Sequence, residues 1–184
     1  CPPSVLTRSK ETVLEALDAW GGKAVLKPLD MMGGRGVVML DREDPNLEAL
    51  VEMSLFSGTK RGLVQAFVED AWQGDKRILA FDDEVLGVFV RKPKPGDFRG
   101  NLSVGASAEG ADLTDRDREI LARILPDLAS HGQRFVGVDV IGRYITEVNV
   151  TSPMGLRELD AVGQEGSSRR LAQLIEAAVE QRRG

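Results

Sequence analysis

The stretch that decides the fold is FVGVDVIGRYITEVNVTSP, residues 135–153. Its many β-branched residues predict two strands joined by a turn at residues 142–143. Three side chains with oxygen ligands interrupt the apolar pattern, namely Asp139, Glu147 and Asn149. A carboxylate inside such a hairpin is costly to bury unless its charge is compensated. A divalent cation with phosphate as co-ligand would compensate it, because Mg²⁺ binds one or two carboxylates and fills its shell with water and phosphate oxygens.

The spacing of these side chains favours a shared site. Glu147 and Asn149 are two residues apart, so they project from one face of a strand. Asp139 joins that face only if the connection has an odd length, for example three residues with a bulge, which would place it opposite Glu147. A strict two-residue turn would point Asp139 the other way. A half-exposed hairpin whose polar residues face water is an equal alternative at this point.

The composition predicts an ordinary soluble globular unit, with one domain or two small lobes, because 42% of its 184 residues are hydrophobic and 29% are charged. A net charge of −5 without a long like-charge run argues against general binding to nucleic acid or to anionic membranes. No apolar stretch reaches membrane-spanning length, and no signal peptide pattern is present. The single cysteine, Cys1, excludes an internal disulfide framework and fits a reducing compartment such as the cytoplasm. The opening Cys-Pro-Pro without a methionine predicts a piece excised from a longer protein.

Hydrophobic periodicity and turn residues predict an alternation of hairpins and helices. Helices are predicted over residues 9–20, 44–56, 114–130 and 168–182, with Ser9, Asp44 and a Thr114–Asp117 capping box at three of their starts. Strands are predicted over residues 23–28, 37–40, 62–69, 75–81 and 85–91, before a long loop at 92–108 and the hairpin above. This order is not the regular β-α alternation of a doubly wound sheet, so the predicted class is α+β.

A glycine-rich loop, DMMGGRG at residues 30–36, lies between two predicted strands. Glycines let backbone N–H groups approach a ligand closely, so such a loop can fold over phosphates as a flap. It lacks the strand-to-helix context of a dinucleotide fingerprint and the Lys-Ser/Thr of a P-loop. Lys27 alternates with apolar residues just before it, which suggests a bound anion. A tight hairpin with Lys27 facing solvent is the alternative.

Two further clusters carry polar chemistry. The run QAFV at residues 65–68 could present backbone groups to an adenine edge, followed by GDKR at 74–77, although a plain core strand and a polar turn are equally compatible. The loop RKPKPGDFRGN at 91–101 carries four cations. Long loops are often lids, and arginines suit bidentate contacts with carboxylates and phosphates, although a solvated charged loop is the competing account. The function of each cluster is ambiguous when it is taken alone. The occurrence of all of them in one chain, in this order, is less ambiguous.

This ordered set resembles the ATP-grasp superfamily and, more narrowly, the bacterial glutathione synthetase family, over nearly the whole chain. The matching segments are LKPLD (26–30) with MGG (32–34), GDKR (74–77), RGNL (99–102), FVGVDVIG (135–142) and TEVNVTSP (146–153). The resemblance implies an ATP-grasp fold of two α+β lobes with nucleotide between them. The small lobe would span residues 1–64 and the large lobe 65–184. The family's N-terminal substrate-binding domain, with another ATP-contacting lysine, is absent, so this chain would be the C-terminal ATP-grasp portion, and its activity alone stays open.

The resemblance also implies roles for individual residues, with ATP and Mg²⁺ as cofactors. ATP phosphates would be contacted by Lys27 and by a small covering loop of Met32, Gly33, Gly34, Arg35 and Gly36. Adenine would be held by Gln65, Ala66, Phe67 and Val68, with Asp75 near the nucleotide. Two Mg²⁺ ions would be ligated by Asp139, Glu147 and Asn149. The acyl phosphate and substrate would be contacted by Arg77, Arg91, Arg99, Gly100 and Asn101. The acceptor end would be shaped by Ser152 and Pro153.

The implied reaction is ATP-dependent ligation of γ-glutamylcysteine to glycine through an acyl phosphate, in a parent enzyme that forms a homo-oligomer. Nucleic acid and membranes are not expected partners. Two alternatives remain open from the sequence. The first is another ATP-grasp ligase that joins amino acids to a peptide. The second is a non-catalytic nucleotide-binding module.

Overall fold

The structure is a computed structural model that describes residues 1–181. Its contacts divide it into two units, one ending at Ala71 and one beginning at Trp72. The first unit contains β1 (Ser4–Thr7), α1 (Lys10–Ala19), β2 (Lys23–Pro28), β3 (Val38–Asp41), α2 (Leu47–Ser54) and β4 (Gly62–Ala66). The second contains β5 (Asp75–Phe81), β6 (Glu84–Lys92), β7 (Ser107–Gly110), α3 (Asp115–Ser130), β8 (Phe135–Ile141), β9 (Tyr144–Asn149), α4 (Leu156–Ala161) and α5 (Ser167–Gln181). Short 3₁₀ turns lie at Glu69–Gln73 and Leu102–Val104.

In the first unit, four strands form an antiparallel sheet in the order β1-β4-β2-β3. α1 and α2 pack on one face, where Leu17 and Val51 share a core with Leu26 and Val64. Side chains alternate along a strand, so Lys27 projects to the opposite face. The face opposite the helices therefore carries Lys27 and Gln65 together with apolar side chains such as Val25.

The helix starts of the first unit were predicted with mixed success. Ser9 caps α1 as predicted and accepts a hydrogen bond from Thr12 N at 3.2 Å. The predicted start of α2 at Asp44 is wrong. Asp44 instead accepts a hydrogen bond from Asn46 N at 2.8 Å in a local turn, and the helix begins only at Leu47. An aspartate at a turn can either cap a helix or accept a hydrogen bond from the backbone two residues later, and Asp44 does the second.

In the second unit, five antiparallel strands lie in the order β7-β6-β5-β8-β9. α3 packs on one face, where Leu121 shares a core with Val138. α4 packs on the other face through Leu159, which lies against Phe89, and α5 packs beside it. Asp139 follows Val138 on β8, so it projects to the face that carries α4 and α5. The mixture of helices with antiparallel sheets confirms the α+β class.

The predicted capping box of α3 is confirmed. The Thr114 hydroxyl accepts from Asp117 N at 3.2 Å, and the Asp117 carboxylate accepts from Thr114 N at 2.8 Å. Asp117 is buried and also pairs with Lys76 of β5, an interaction that the sequence did not reveal. One carboxylate therefore caps the start of the helix and ties the helix to the sheet.

Several short elements were missed, and one boundary needs correction. β1, β7 and α4 were not predicted, because each has six residues or fewer and little apolar periodicity. The predicted boundary after residue 64 falls inside β4, which pairs with β1 and β2 and so belongs entirely to the first unit. The predicted helix end at residue 182 lies outside the described residues. Within residues 1–181, no helix is both long and apolar enough to cross a lipid bilayer.

Candidate functional site

The β8–β9 hairpin places its three oxygen-bearing side chains on one face. Asp139 pairs directly with Glu147, and Gly137 pairs with Asn149. The turn is a strict two-residue turn between Ile141 and Tyr144, but a bulge follows it and shifts the register. The extra residue that places Asp139 on the same face as Glu147 is therefore present as a bulge in the strand, not as a longer loop.

Asp139 lies in a buried ion cluster with Asp75, Arg77 and Arg91. Arg77 binds Asp139 through two contacts, Nε to Oδ1 at 2.5 Å and Nη2 to Oδ2 at 2.9 Å. Arg91 binds Asp75 in the same way at 2.6 and 2.8 Å, and its Nη2 also lies 2.8 Å from Asp139 Oδ2. The four side chains are only 2–13% exposed. The two positive and two negative charges balance, as a buried ionic group requires.

The register of the sheet assembles this cluster. Arg77 of β5 pairs with Asp139 of β8, and Asp75 of β5 pairs with Arg91 of β6. Directly paired residues of antiparallel strands share a face, so two neighbouring pairs bring four charges together. Arg77 Nη1 also donates to the carbonyl oxygen of Met154 at 3.0 Å, which fixes the segment after β9.

Burial and mutual charge shape the electrostatics of the cluster. Burial raises the pKa of the Asp75 carboxyl, although the charge of Arg91 opposes the shift. Burial alone would lower the pKa of Arg91, but the charges of Asp139 and Asp75 outweigh it and the pKa is raised. Arg91 is therefore a permanently charged group that the two acids share.

The oxygen donors of the hairpin fit a hard cation that also binds phosphate. Asp139 offers about four lone-pair positions, of which the arginines use three. Glu147 is exposed at the surface, and the buried Nδ2 atom of Asn149 has no hydrogen-bond partner among the described residues. Rotating that amide would place Oδ1 there as a ligand. Within residues 1–181, no group of three or more His, Cys, Asp or Glu side chains could by itself hold a metal ion.

In the first unit, Lys27 and Gln65 lie on the sheet face away from the helices. Lys27 Nζ donates to Gln65 Oε1 at 2.6 Å, and Gln65 Nε2 donates to Ser4 Oγ at 3.0 Å. The Gln65 side chain is buried and both ends of its amide are used in this chain of hydrogen bonds. Along the predicted adenine segment, the backbone N–H groups of Ala66 and Phe67 donate to Pro3 and Lys23. Val68 is partly buried just beyond β4.

The glycine-rich loop connects β2 to β3. Gly33, Gly34 and Gly36 all have positive φ angles, between 67° and 74°, which a residue with a side chain rarely adopts. Met32 is 85% exposed, and Arg35 is also exposed. The loop therefore has the backbone and the exposed tip that a phosphate-covering flap requires.

The loop between β6 and β7, residues 93–106, is called the arginine loop below. Asp97 accepts hydrogen bonds from the Arg99 backbone N–H at 3.0 Å and from its guanidinium at 2.7 to 3.2 Å. These bonds lower the pKa of Asp97 to about 2. Asn101 begins a 3₁₀ turn in the same loop. Asp97 was not predicted as a site residue, although its spacing two residues before Arg99 is that of a local side-chain-to-backbone turn.

Ser152 and Pro153 follow the hairpin. Ser152 has a positive φ of 50°, which is uncommon outside glycine and marks local backbone strain. Pro153 is buried, and a Cβ on Gly137 would lie 3.1 Å from it. Both line a groove with Phe81 and Arg134. The structure thus brings together the β8–β9 hairpin, Arg77, Arg91 and Asp75 in the second unit. The first unit contains Lys27, the glycine-rich loop and the segment that begins at Gln65.

Comparison with known families gives one match over most of the chain. The model described as the prokaryotic glutathione synthetase ATP-grasp domain matches residues 1–164. Glutathione synthetase of Xanthomonas campestris pv. campestris is 48% identical over 162 residues, which is 88% of this chain and 51% of the relative. Glutathione synthetase of Synechococcus elongatus is 42% identical over 180 residues, 98% of this chain and 55% of the relative. The chain thus spans about half the length of the curated relatives it matches.

Solved structures establish the fold. The ATP-grasp ligase PsnB, complexed with a minimal precursor, Mg and ADP, superposes with a TM-score of 0.66 at 18% identity, over 95% of this chain and 52% of PsnB. D-alanine–D-alanine ligase from Bacillus anthracis, complexed with ATP, gives a TM-score of 0.63 at 18% identity, over 100% of this chain and 62% of the ligase. The prediction of an ATP-grasp fold is confirmed.

Proposed function

The chain belongs to the family of the prokaryotic glutathione synthetase ATP-grasp domain, and from this premise we propose that the whole protein is an ATP-dependent carboxylate–amine ligase, a glutathione synthetase. It would join γ-glutamylcysteine to glycine and convert ATP to ADP and phosphate. One observation carries the proposal. Asp139 lies opposite Glu147, on the same face as Asn149, with Arg77 and Arg91 bound to Asp139. Carboxylates for a cation and arginines for an anion thus lie together, as phosphoryl transfer requires.

The first unit would bind the nucleotide. Lys27 would contact the phosphates, because it projects from the sheet face that carries no helix and is oriented by Gln65. The flap of Met32 to Gly36 would cover them with backbone N–H groups. Adenine would lie along Gln65 to Val68, where the hydrophobic segment leaves β4.

Asp139, Glu147 and Asn149 would hold Mg²⁺, and the fit of their donor atoms supports this assignment. When bound, the metal supplies charge neutralisation for the phosphate oxygens during transfer. Arg77 and Arg91 compensate the charge of the buried Asp139 carboxylate. Asn149 would contribute a neutral oxygen beside the Glu147 carboxylate.

The arginines would stabilise the reacting anions. In the proposed reaction, a carboxylate oxygen of γ-glutamylcysteine attacks the γ-phosphorus and ADP leaves. The amine nitrogen of glycine then attacks the acyl carbon, phosphate leaves and the nitrogen loses a proton. Arg99 and Asn101 would contact the acyl phosphate from the arginine loop. Arg77 and Arg91 would stabilise the negative charge of the acyl phosphate electrostatically. Ser152 and Pro153 would shape the acceptor end.

The test is a coupled ADP-release assay on a protein that contains this chain together with the remaining half of its relatives' length. Release is expected with γ-glutamylcysteine, glycine and Mg-ATP together, and not when any one is omitted. Release with a different acid or amine would favour another ATP-grasp ligase. Mg-ATP binding without turnover on any pair would favour a nucleotide-binding module. A cytoplasmic location, in agreement with the single cysteine, and a homo-oligomeric parent belong to the same proposal.

A further inference from the structure

Asp75 has a structural task that its expected place near a nucleotide does not explain. Both of its carboxylate oxygens accept hydrogen bonds from Arg91, at 2.6 and 2.8 Å. Arg91 thus engages both oxygens of a side chain that is 13% exposed. The turn before it is equally constrained, because Gly74 has a φ of 115° and a Cβ there would lie 2.6 Å from the Arg91 carbonyl oxygen.

The arginine loop packs on this carboxylate at Gly100. A Cβ on Gly100 would lie 2.6 Å from Asp75 Oδ1 and 2.9 Å from Oδ2, closer than real Cβ contacts. Gly100 is buried, and Asp75 cannot move aside without releasing Arg91. The glycine between Arg99 and Asn101 is therefore required by contact with a specific acid.

A second contact fixes the other side of Arg99. Phe98 packs edge-on against Trp72, with ring centroids 6.2 Å apart. Residues 72–75, called the docking segment below, thus contact the arginine loop on both sides of Arg99, at Phe98 and at Gly100. Such edge-on aromatic pairs stabilise a contact beyond the effect of the area they bury. Two anchors around one residue restrict the positions that its side chain can reach.

We propose that Asp75 is a positioning residue, which clamps Arg91 and provides the docking segment with the surface that holds the arginine loop in place. Trp72 supplies the second anchor. Arg99, between the two anchors, is thereby presented in a fixed position. The catalytic consequence rests on the proposed ligase function, whereas the docking of the loop does not.

The direct test is hydrogen exchange of the 184-residue chain without nucleotide, in Asp75→Asn, in Gly100→Ala and in the control Asp70→Asn. Asp70 is an exposed acid in the preceding 3₁₀ turn. Amides of residues 98–102 are expected to exchange at least about tenfold faster in both test variants and at the normal rate in the control. Gly100→Ala leaves every charge of the ion cluster in place, so it serves even if Asp75→Asn does not fold. Unchanged exchange in Gly100→Ala would overturn the proposal.

Calorimetry with Mg-ATP separates the two roles of Asp75. Positioning predicts that Gly100→Ala and Asp75→Asn bind Mg-ATP within about threefold of the unmodified chain. A loss of about tenfold or more in Asp75→Asn, with unchanged exchange in the arginine loop, would return Asp75 to the nucleotide site. An unmodified chain that does not bind Mg-ATP would count against the proposed function, while the exchange result would still decide the docking.

Discussion

Asp139 lies directly opposite Glu147 across the β8–β9 hairpin, although the two-residue turn alone would place Thr146 there. The bulge adds Thr146 as an extra residue, and its hydroxyl donates to the Asp139 carbonyl oxygen at 3.2 Å. Two carboxylates that face each other repel unless something compensates them. Here Asp139 is compensated by arginines below, which leaves Glu147 as the exposed member of the pair.

Substitutions of the two carboxylates are therefore expected to have different effects on activity and stability. Glu147→Gln is expected to reduce ADP release by about 10²-fold or more, because a metal ligand is lost, with little change in stability. Asp139→Asn is expected to lose activity and about 3 kcal/mol of unfolding free energy as well, because buried arginines lose their counter-charge. Denaturant titration and the ADP-release assay measure the two effects.

Asp127→Asn provides the control, since Asp127 is an exposed acid on α3 and should change neither quantity. Near-normal ligation by Glu147→Gln would remove Glu147 from the metal site. Unchanged stability in Asp139→Asn would mean that the ion cluster does not depend on the Asp139 charge.

Arg99→Ala tests the role of the arginine loop. An arginine that contacts the transferring group only in the transition state is worth about 10³-fold in kcat, so turnover should fall by that order while Mg-ATP affinity stays within about threefold. Arg143→Ala removes an exposed arginine from the hairpin turn and serves as the control. Equal losses of kcat and of affinity in Arg99→Ala would instead indicate that Arg99 anchors the nucleotide.

Local features were predictable from the sequence, while pairing across strands was not. Ser9 and the Thr114–Asp117 box were predicted correctly because a cap is decided within one helical turn. The hairpin ligands followed from the period of a strand, but their common face depended on a bulge that no residue type specifies. Contacts such as Asp75 with Arg91 depend on the register of two strands, which the sequence does not display.

The intramolecular partners of charged side chains were also missed, because the sequence does not show which residues meet in the fold. The sequence pattern indicated ligand-binding side chains, and the structure gives several of them a partner within the protein. Arg99 binds Asp97, and Lys27 binds Gln65. A partly buried charged side chain needs a compensating group of the protein while no ligand is bound. Residues next to a predicted ligand-binding group, such as Asp97, are therefore the ones that sequence interpretation omits.

The Asp97–Arg99 pair predicts a pH dependence at low pH. In the folded chain, hydrogen bonds from Arg99 keep the pKa of Asp97 at about 2, whereas an unfolded aspartate takes up its proton near pH ~3.9. The unfolded state therefore binds more protons between these values, so the pair stabilises the fold above that window and the stabilisation is lost as the pH falls through it.

Asp97→Asn should consequently show a weaker fall in stability between about pH 4 and pH 2 than the unmodified chain. The difference should stay below about 1 kcal/mol, because the pair is near the surface and only two residues apart in sequence. Thermal unfolding at several pH values measures it, with the exposed Asp70→Asn as a control. Parallel curves for Asp97→Asn and the unmodified chain would show that Asp97 has the same proton affinity in the folded and unfolded states, which would contradict the prediction.

Two roles of Gln65 can be separated by experiment, namely orientation of Lys27 and contact with adenine. The Gln65 side chain bridges Lys27 and Ser4 in a buried position. Removing one partner of such a bond costs about 1 kcal/mol, so Gln65→Met should weaken Mg-ATP binding by roughly fivefold through Lys27. If the effect passes through Lys27, binding of Mg-tripolyphosphate should weaken by the same factor, since that ligand has phosphates and no adenine. Gln73→Met, which replaces an exposed glutamine within the docking segment, should change neither affinity. A loss confined to Mg-ATP would assign Gln65 to the adenine instead, and additive effects of Gln65→Met and Lys27→Met would show that the two side chains act independently.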